Sequence, residues 1–155
     1  MTKADLRPGD VLLYTPKGWL SWGTLICIKT FSTVSHSEIY VGSGMTIAAR
    51  ETAGVSTYTL MEDRLKYIVR PPRQPNMDTM LKWHRSVKGA GYDYWGLLSF
   101  YNIGHGDQHR YICSEHTTLA CRAGGVEFFR PDVEAQKVCP GMFLTSPVGI
   151  VFQWS

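Results

Sequence analysis

The stretch SHSEIYVGSGMTIAARETAGVSTYTL constrains this chain more than any other. Two runs rich in β-branched and aromatic residues flank Gly42-Ser43-Gly44, which is the pattern of a β-hairpin. The turn sets the register, and the register sets the neighbours of the only histidine in the stretch, His36. With Ser43-Gly44 as a two-residue turn, Gly42 faces Met45 and His36 faces Glu51. With all three residues in the loop, His36 faces Arg50. Ser-Gly is a usable hairpin dipeptide, which favours Glu51. Glu38, two residues along the same strand, shares the face of His36 in either register. A carboxylate so placed raises an imidazole pKa and fixes its tautomer.

Around the hairpin the chain alternates turn signals with short apolar runs. LRPGDVLLYT reads as a turn at Pro8-Gly9 feeding a buried strand. GVSTYTL reads as a third strand of the group and KYIVR as a fourth, stopped by Pro71-Pro72. WLSWGTLICIKTF has apolar residues at helical spacing, with Trp19 and Trp22 expected to pack in the core. NMDTMLKWHRSVKG reads as a helix between the cap Asn76 and the stop Gly89. DYWGLLSFYNI reads as a second helix capped by Asp93, and CSEHTTLACRAGG as a third stopped by Gly124-Gly125. PVGIVFQW closes the chain as a strand. Strands, then helices, then a strand predict a single α+β domain over 1–155, a small antiparallel sheet packed against a helical layer.

Composition narrows the function. With 44% hydrophobic and 19% charged residues the chain has material for a real core. A net charge of +3, with basic residues scattered among acids, gives no footprint for nucleic acid. The start, MTKADLRPGD, lacks the apolar core of a secretory leader, and no apolar run approaches the ~20 residues of a membrane helix. The expectation is a cytoplasmic protein without a stable membrane anchor, acting elsewhere only after release. The four cysteines form neither a CxxC pair nor a dense framework, so they are expected to be reduced.

YICSEHTTLACRAGG puts Cys113 in the first turn of a helix. Free backbone N–H groups and the positive end of the helix dipole meet there, which lowers a thiol pKa and stabilises an oxyanion. A histidine from a strand, His36, would complete an activated pair. Cys27, Cys121 and Cys139 are read as packing residues. A metal reading of His105, His109, Cys113 and His116 has plausible zinc-ligand spacing. The glycine-broken segment IGHGDQHR argues against one helix carrying them, so no metal and no cofactor is expected.

RPGDVLLY, SHSEIYVGSG, GYDYWGLL and YICSEHTTLACRAGG, in that order over residues 7–125, resemble the permuted NlpC/P60 group of the papain-like superfamily. That group includes bacterial and phage proteins and the lecithin:retinol acyltransferase relatives. Histidine precedes cysteine here, which is the permuted order. The resemblance implies Cys113 as nucleophile and His36 as base. It places a third polar residue on the strand after the histidine, where Glu51 fits. It also makes Tyr92 a residue lining the site, with the Cys113 N–H and Tyr92 as oxyanion donors. Two departures stand out. Many relatives have glycine where this chain has Glu38, and a simple count to the usual third position lands on Ala48. The third member therefore lies between Glu51 and Glu38.

The function expected is a cysteine-dependent amide hydrolase, a peptidase or amidase acting through an acyl-enzyme. Its substrate would be a peptide or other amide, cell-wall peptides included. The alternatives are a lipid or ester hydrolase or acyltransferase on the same fold, and a non-catalytic binding module.

Overall fold

The computed structural model describes residues 1–18, 32–93 and 110–155. The sequence-predicted helices over WLSWGTLICIKTF and DYWGLLSFYNI, and with them Trp19, Trp22, Cys27, Trp95, His105 and His109, lie outside the described residues.

A six-stranded antiparallel sheet carries the fold. Its strands are β1 (Val11–Tyr14), β2 (His36–Gly42), β3 (Met45–Arg50), β4 (Gly54–Thr59), β5 (Leu65–Arg70) and β8 (Ile150–Gln153), in the order β4-β3-β2-β1-β5-β8. Two short strands, β6 (Gly91–Tyr92) and β7 (Arg110–Tyr111), form a separate parallel ladder. Helix α1 (Met77–Val87) and helix α2 (Cys113–Ala123) pack against each other and cover one face of the sheet. The architecture is α+β, as the order of apolar runs predicts, and is compatible with a small papain-like domain.

Local chemistry explains the element ends. The Asn76 side chain accepts from the Thr79 N–H and caps α1. Beyond α1, Gly89 takes a φ of 90°, in the region that favours glycine. Helix α2 ends at the Gly124-Gly125 pair, where Gly125 has a φ of 77°. In the hairpin, Ser43 and Gly44 both have positive φ, 51° and 70°. That is the handedness a two-residue turn needs to match strand twist. β5 ends at Pro71, which supplies no N–H to continue the ladder.

The two faces of the sheet bury different things. Val11, Leu13, Ile39, Ile47 and Val69 join Met80, Ala120 and Phe143 in the main core beneath the helices. Leu12, Tyr14, Tyr40, Leu65 and Ile68 form a second cluster on the opposite face. A third cluster, Ala49, Val55, Tyr92 and Ile112, ties the sheet to the β6–β7 ladder. Gly54 makes this last junction possible. It sits at a φ of 66°, and a Cβ there would lie 2.2 Å from the Ala90 carbonyl oxygen. The close approach lets the Val55 N–H donate to that same oxygen and the Gly89 N–H donate to the Val55 carbonyl.

Candidate active site

The site forms where β2 begins and α2 begins. Cys113 is the first residue of α2, so its N–H needs no partner inside the helix. Its side chain is buried, 2% exposed. The thiol lies against the start of β2, with Sγ 4.0 Å from the Ser35 carbonyl oxygen. Two further hydrogen bonds pin this helix end to its surroundings: Ser114 Oγ donates to the Val138 carbonyl, and Ser37 Oγ meets Thr117 Oγ1 at 3.1 Å.

His36 opens β2 and faces the thiol. Its Nε2 lies 2.9 Å from Glu38 Oε1, which leaves Nδ1 as the nitrogen able to take the Cys113 proton. Burial works against the charged imidazole. The Cys113 thiolate and the Glu38 carboxylate outweigh it and raise the His36 pKa to about 9. The same balance acts on Cys113. Burial opposes its ionisation, but His36 and the backbone N–H groups of Ser37 and Ser114 bring the thiol below its ordinary value. The two shifts run in the same sense: each group favours the charged form of the other, the thiolate and the imidazolium.

Glu38 is fully buried and its carboxylate is heavily bonded. Oε1 accepts from His36 and from Arg50 Nε at 2.7 Å. Oε2 accepts from Thr46 Oγ1 at 2.6 Å, Arg50 Nη2 at 3.1 Å and Tyr14 Oη at 3.3 Å. Burial alone would push this carboxyl up; His36 and Arg50 reverse that and hold it down at about 2. A buried carboxylate is tolerable only when its oxygens are satisfied in this way. Arg50 is fixed in turn by the Thr59 carbonyl and by the Tyr58 ring, 4.1 Å from its guanidinium carbon.

The register argument that favoured Glu51 is corrected here. Gly42 does face Met45, as the two-residue turn requires. A bulge between Tyr40 and Gly42 then slips the ladder, so that Tyr40 pairs with Thr46 and Ile39 with Ile47. Continued toward His36, this register meets Arg50 and not Glu51. Glu51 is exposed, in the turn after β3, and borders the same cavity as His36. The carboxylate on the imidazole is Glu38, the residue at which the chain departs from many members of the group it resembles.

Tyr92 is buried beside Ile112, the residue just before Cys113, and its backbone pairs with Tyr111 in the β6–β7 ladder. His116, one of the four residues of the metal spacing, turns away to α1. Its Nε2 lies 3.0 Å from His84 Nδ1, and both rings are buried. Cys121 is packed in the core and burial pushes its thiol well up, so it is inert. Cys139 is half-buried, and burial raises its pKa as well. Sequence reasoning missed Tyr14, Thr46 and Arg50 as partners of Glu38. Tyr14 had a signal: it lies directly across from His36 in the β1–β2 ladder.

No family model matches the chain. Among curated proteins it is similar to the probable lipoprotein peptidase YaeF of Escherichia coli (strain K12), with 27% identity over 165 residues, covering 81% of this chain. The chain spans 58% of the length of that relative. The likeness is to a peptidase, at low identity. Among the described residues no helix is long and apolar enough to cross a membrane.

Proposed function

We propose that this chain is a cysteine-dependent amide hydrolase, a peptidase or amidase of the permuted NlpC/P60 kind, working through an acyl-enzyme on Cys113. One observation carries the reading: the His36 ring bridges a thiol at a helix N-terminus and a buried, fully bonded carboxylate. The order of the two elements, histidine strand before cysteine helix, supports the permuted placement, and the relative named as a peptidase supports the substrate class.

In the proposed reaction the Cys113 thiolate attacks an amide carbonyl, and the new C–S bond turns the carbonyl oxygen into an oxyanion. The Cys113 N–H, free at the first position of α2, donates to that oxygen, with Tyr92 as the candidate second donor. The His36 imidazolium gives its Nδ1 proton to the leaving nitrogen as the C–N bond breaks. Neutral His36 then takes a proton from water, which attacks the thioester and releases the acid and the thiolate. Glu38 holds the ring by Nε2 throughout and favours the imidazolium form. Arg50, Thr46 and Tyr14 hold Glu38.

Cys113→Ala is expected to abolish hydrolysis of peptide amides while leaving the fold intact, as measured by turnover and circular dichroism. Undiminished turnover in that variant would overturn the reading.

A further inference from the structure

A cavity of about 260 Å³ opens at the end of the sheet away from the candidate site, lined by Arg7, Asp10, Arg70, Arg73 and Ile150 among others. In β1, Tyr14 lies opposite His36, while Val11 lies opposite Val69. Asp10 and Arg70 therefore stand ~10 Å along the strands from the level of the histidine. Three arginines face one acid in this cavity. Asp10 is spent on Arg70: its two oxygens accept from Nε and Nη2 at 2.9 and 2.8 Å. Asp5 also acts on Arg70, and its carboxylate accepts from the Thr2 N–H and hydroxyl. Among the described residues neither Arg7 nor Arg73 forms an ion pair. Arg73 donates to the Gly125 carbonyl, a neutral partner that leaves its charge whole.

The rim of the cavity is apolar. Ile150 and Val151 belong to the edge strand β8 and are 53% and 42% exposed; Val148, just before it, is 39% exposed. Among the described residues these three are the exposed large hydrophobic side chains. Ile150 pairs with Arg70 and Val151 with Val69, so successive side chains leave on opposite faces of the sheet. The apolar rim is convex and wraps the sheet edge. A protein partner would need a matching groove for that shape, whereas a lipid surface yields to it. Exposed aliphatic residues beside arginines without acids match the two layers of an anionic bilayer surface, phosphate above and acyl chain below.

We propose that this end of the sheet rests on an anionic phospholipid bilayer: the cavity takes a lipid phosphate between Arg7 and Arg73, while Val148, Ile150 and Val151 sink to the level of the upper acyl chains. The contact is peripheral and reversible. It leaves His36 and Cys113 at the far end of the sheet, and it stands whether or not the amide-hydrolase reading holds.

The test is co-sedimentation with two kinds of vesicle, phosphatidylcholine alone and an equal mixture of phosphatidylcholine and phosphatidylglycerol, at low ionic strength. Binding to the mixed vesicles alone is expected, and it should weaken as salt is added. Partitioning should fall about fivefold in Arg7→Gln and about fivefold again when Arg73→Gln is added. Ile150→Ser, which keeps the charge, should cost about threefold to tenfold. All three positions are exposed, and circular dichroism checks that each variant is folded. Absence of binding to the mixed vesicles overturns the proposal, as does equal binding to both kinds that neither salt nor the arginine variants change. Two other occupants are read from the same protein. Stabilisation against heat by inorganic phosphate without vesicle binding marks a site for a small free anion. A dimer in sedimentation that Val151→Glu dissolves, again without vesicle binding, marks β8 as an interface between copies of this chain. Either result overturns the bilayer contact.

Discussion

Two buried histidine arrangements lie a few residues apart in this molecule, and they behave in opposite ways. At the candidate site, His36 is held between a thiol and a carboxylate and its pKa is raised to about 9. Behind it, His116 on α2 meets His84 on α1, where the Glu38 carboxylate acts on His116 too weakly to offset its burial. Burial, helped by His84 and His36 at His116 and by Lys88 and Arg85 at His84, lowers them to about 3 and about 4. His84 Nε2 and His116 Nδ1 have no hydrogen-bond partner among the described residues. Burial opposes the imidazolium in both places. What differs is the company: one bonded carboxylate and one ionisable thiol turn a histidine that refuses protons into one that keeps its proton past neutral pH.

The comparison can be broken at either end. The largest effect expected is from His36→Ala. Without the imidazolium, Cys113 returns toward the ordinary thiol range, and its alkylation by iodoacetamide at pH 6 should slow by about 10²-fold. An unchanged rate would mean that α2 alone activates the thiol.

Glu38→Gln comes next. It keeps the shape but removes the charge that steadies the imidazolium, and turnover should drop on the order of 10–100-fold. Glu51→Gln, outside the His36–Glu38 contact, should cost under about threefold in turnover of a neutral peptide. The reverse ranking would return the orienting role to Glu51.

The neutral pair makes its own prediction, in stability. The folded pKa values of His84 and His116 lie below the unfolded value of about 6.5. The unfolded chain therefore binds more protons as the pH falls. Their contribution is fully present above pH 6.5 and drains away below it, through about pH 4 and about pH 3. Glu38, held at about 2, acts in the same direction only below its ordinary range, near 4.5. Glu115, raised to about 7 by burial, acts in the opposite direction over the same range, so urea unfolding between pH 6.5 and 4.5 should show a net loss on the order of 2 kcal/mol. His84→Gln should flatten that slope; an unflattened slope would place the titrating groups elsewhere.

The smallest effect expected sharpens the first site. Arg50 competes with His36 for Glu38 Oε1, both lying within 2.9 Å of that oxygen. Arg50→Met should let Glu38 pull harder on the ring and move the alkaline limb of turnover up from about pH 9, by roughly half a unit to one unit. A limb that moves down would mean that Arg50 acts by keeping Glu38 in place.

Much of this was written locally in the chain. Cys113 opens its helix where the sequence pattern puts it, because CSEH follows an extended, apolar Tyr111-Ile112 and precedes a helical run closed by two glycines. Asn76, Gly89 and the Pro71-Pro72 stop were legible for the same reason: caps and breakers act over one or two residues. The partner of His36 was not legible to the same degree. Ser43-Gly44 announces a tight turn, but a bulge two residues away costs the sequence no special residue type, and it moves every facing pair by one. The i+2 rule named Glu38 as a neighbour, yet only the packed second face shows why a carboxylate survives there: Tyr14, Thr46 and Arg50 arrive from two other strands. The His84–His116 contact joins two helices through core packing, and no periodicity in the sequence encodes it.

Gly54 carries a consequence of another kind. It pairs with Arg50 at the end of the β3–β4 ladder, and any side chain at that position would drive β4 away from the Ala90 carbonyl. The displacement would run along Gly91-Tyr92 into Tyr111-Ile112, on which the first turn of α2 rests. A genetic screen for inactive variants should return this glycine alongside Cys113 and His36, in proteins that still fold. The map of loss-of-function positions would then mark a remote strand edge as though it were part of the cleft.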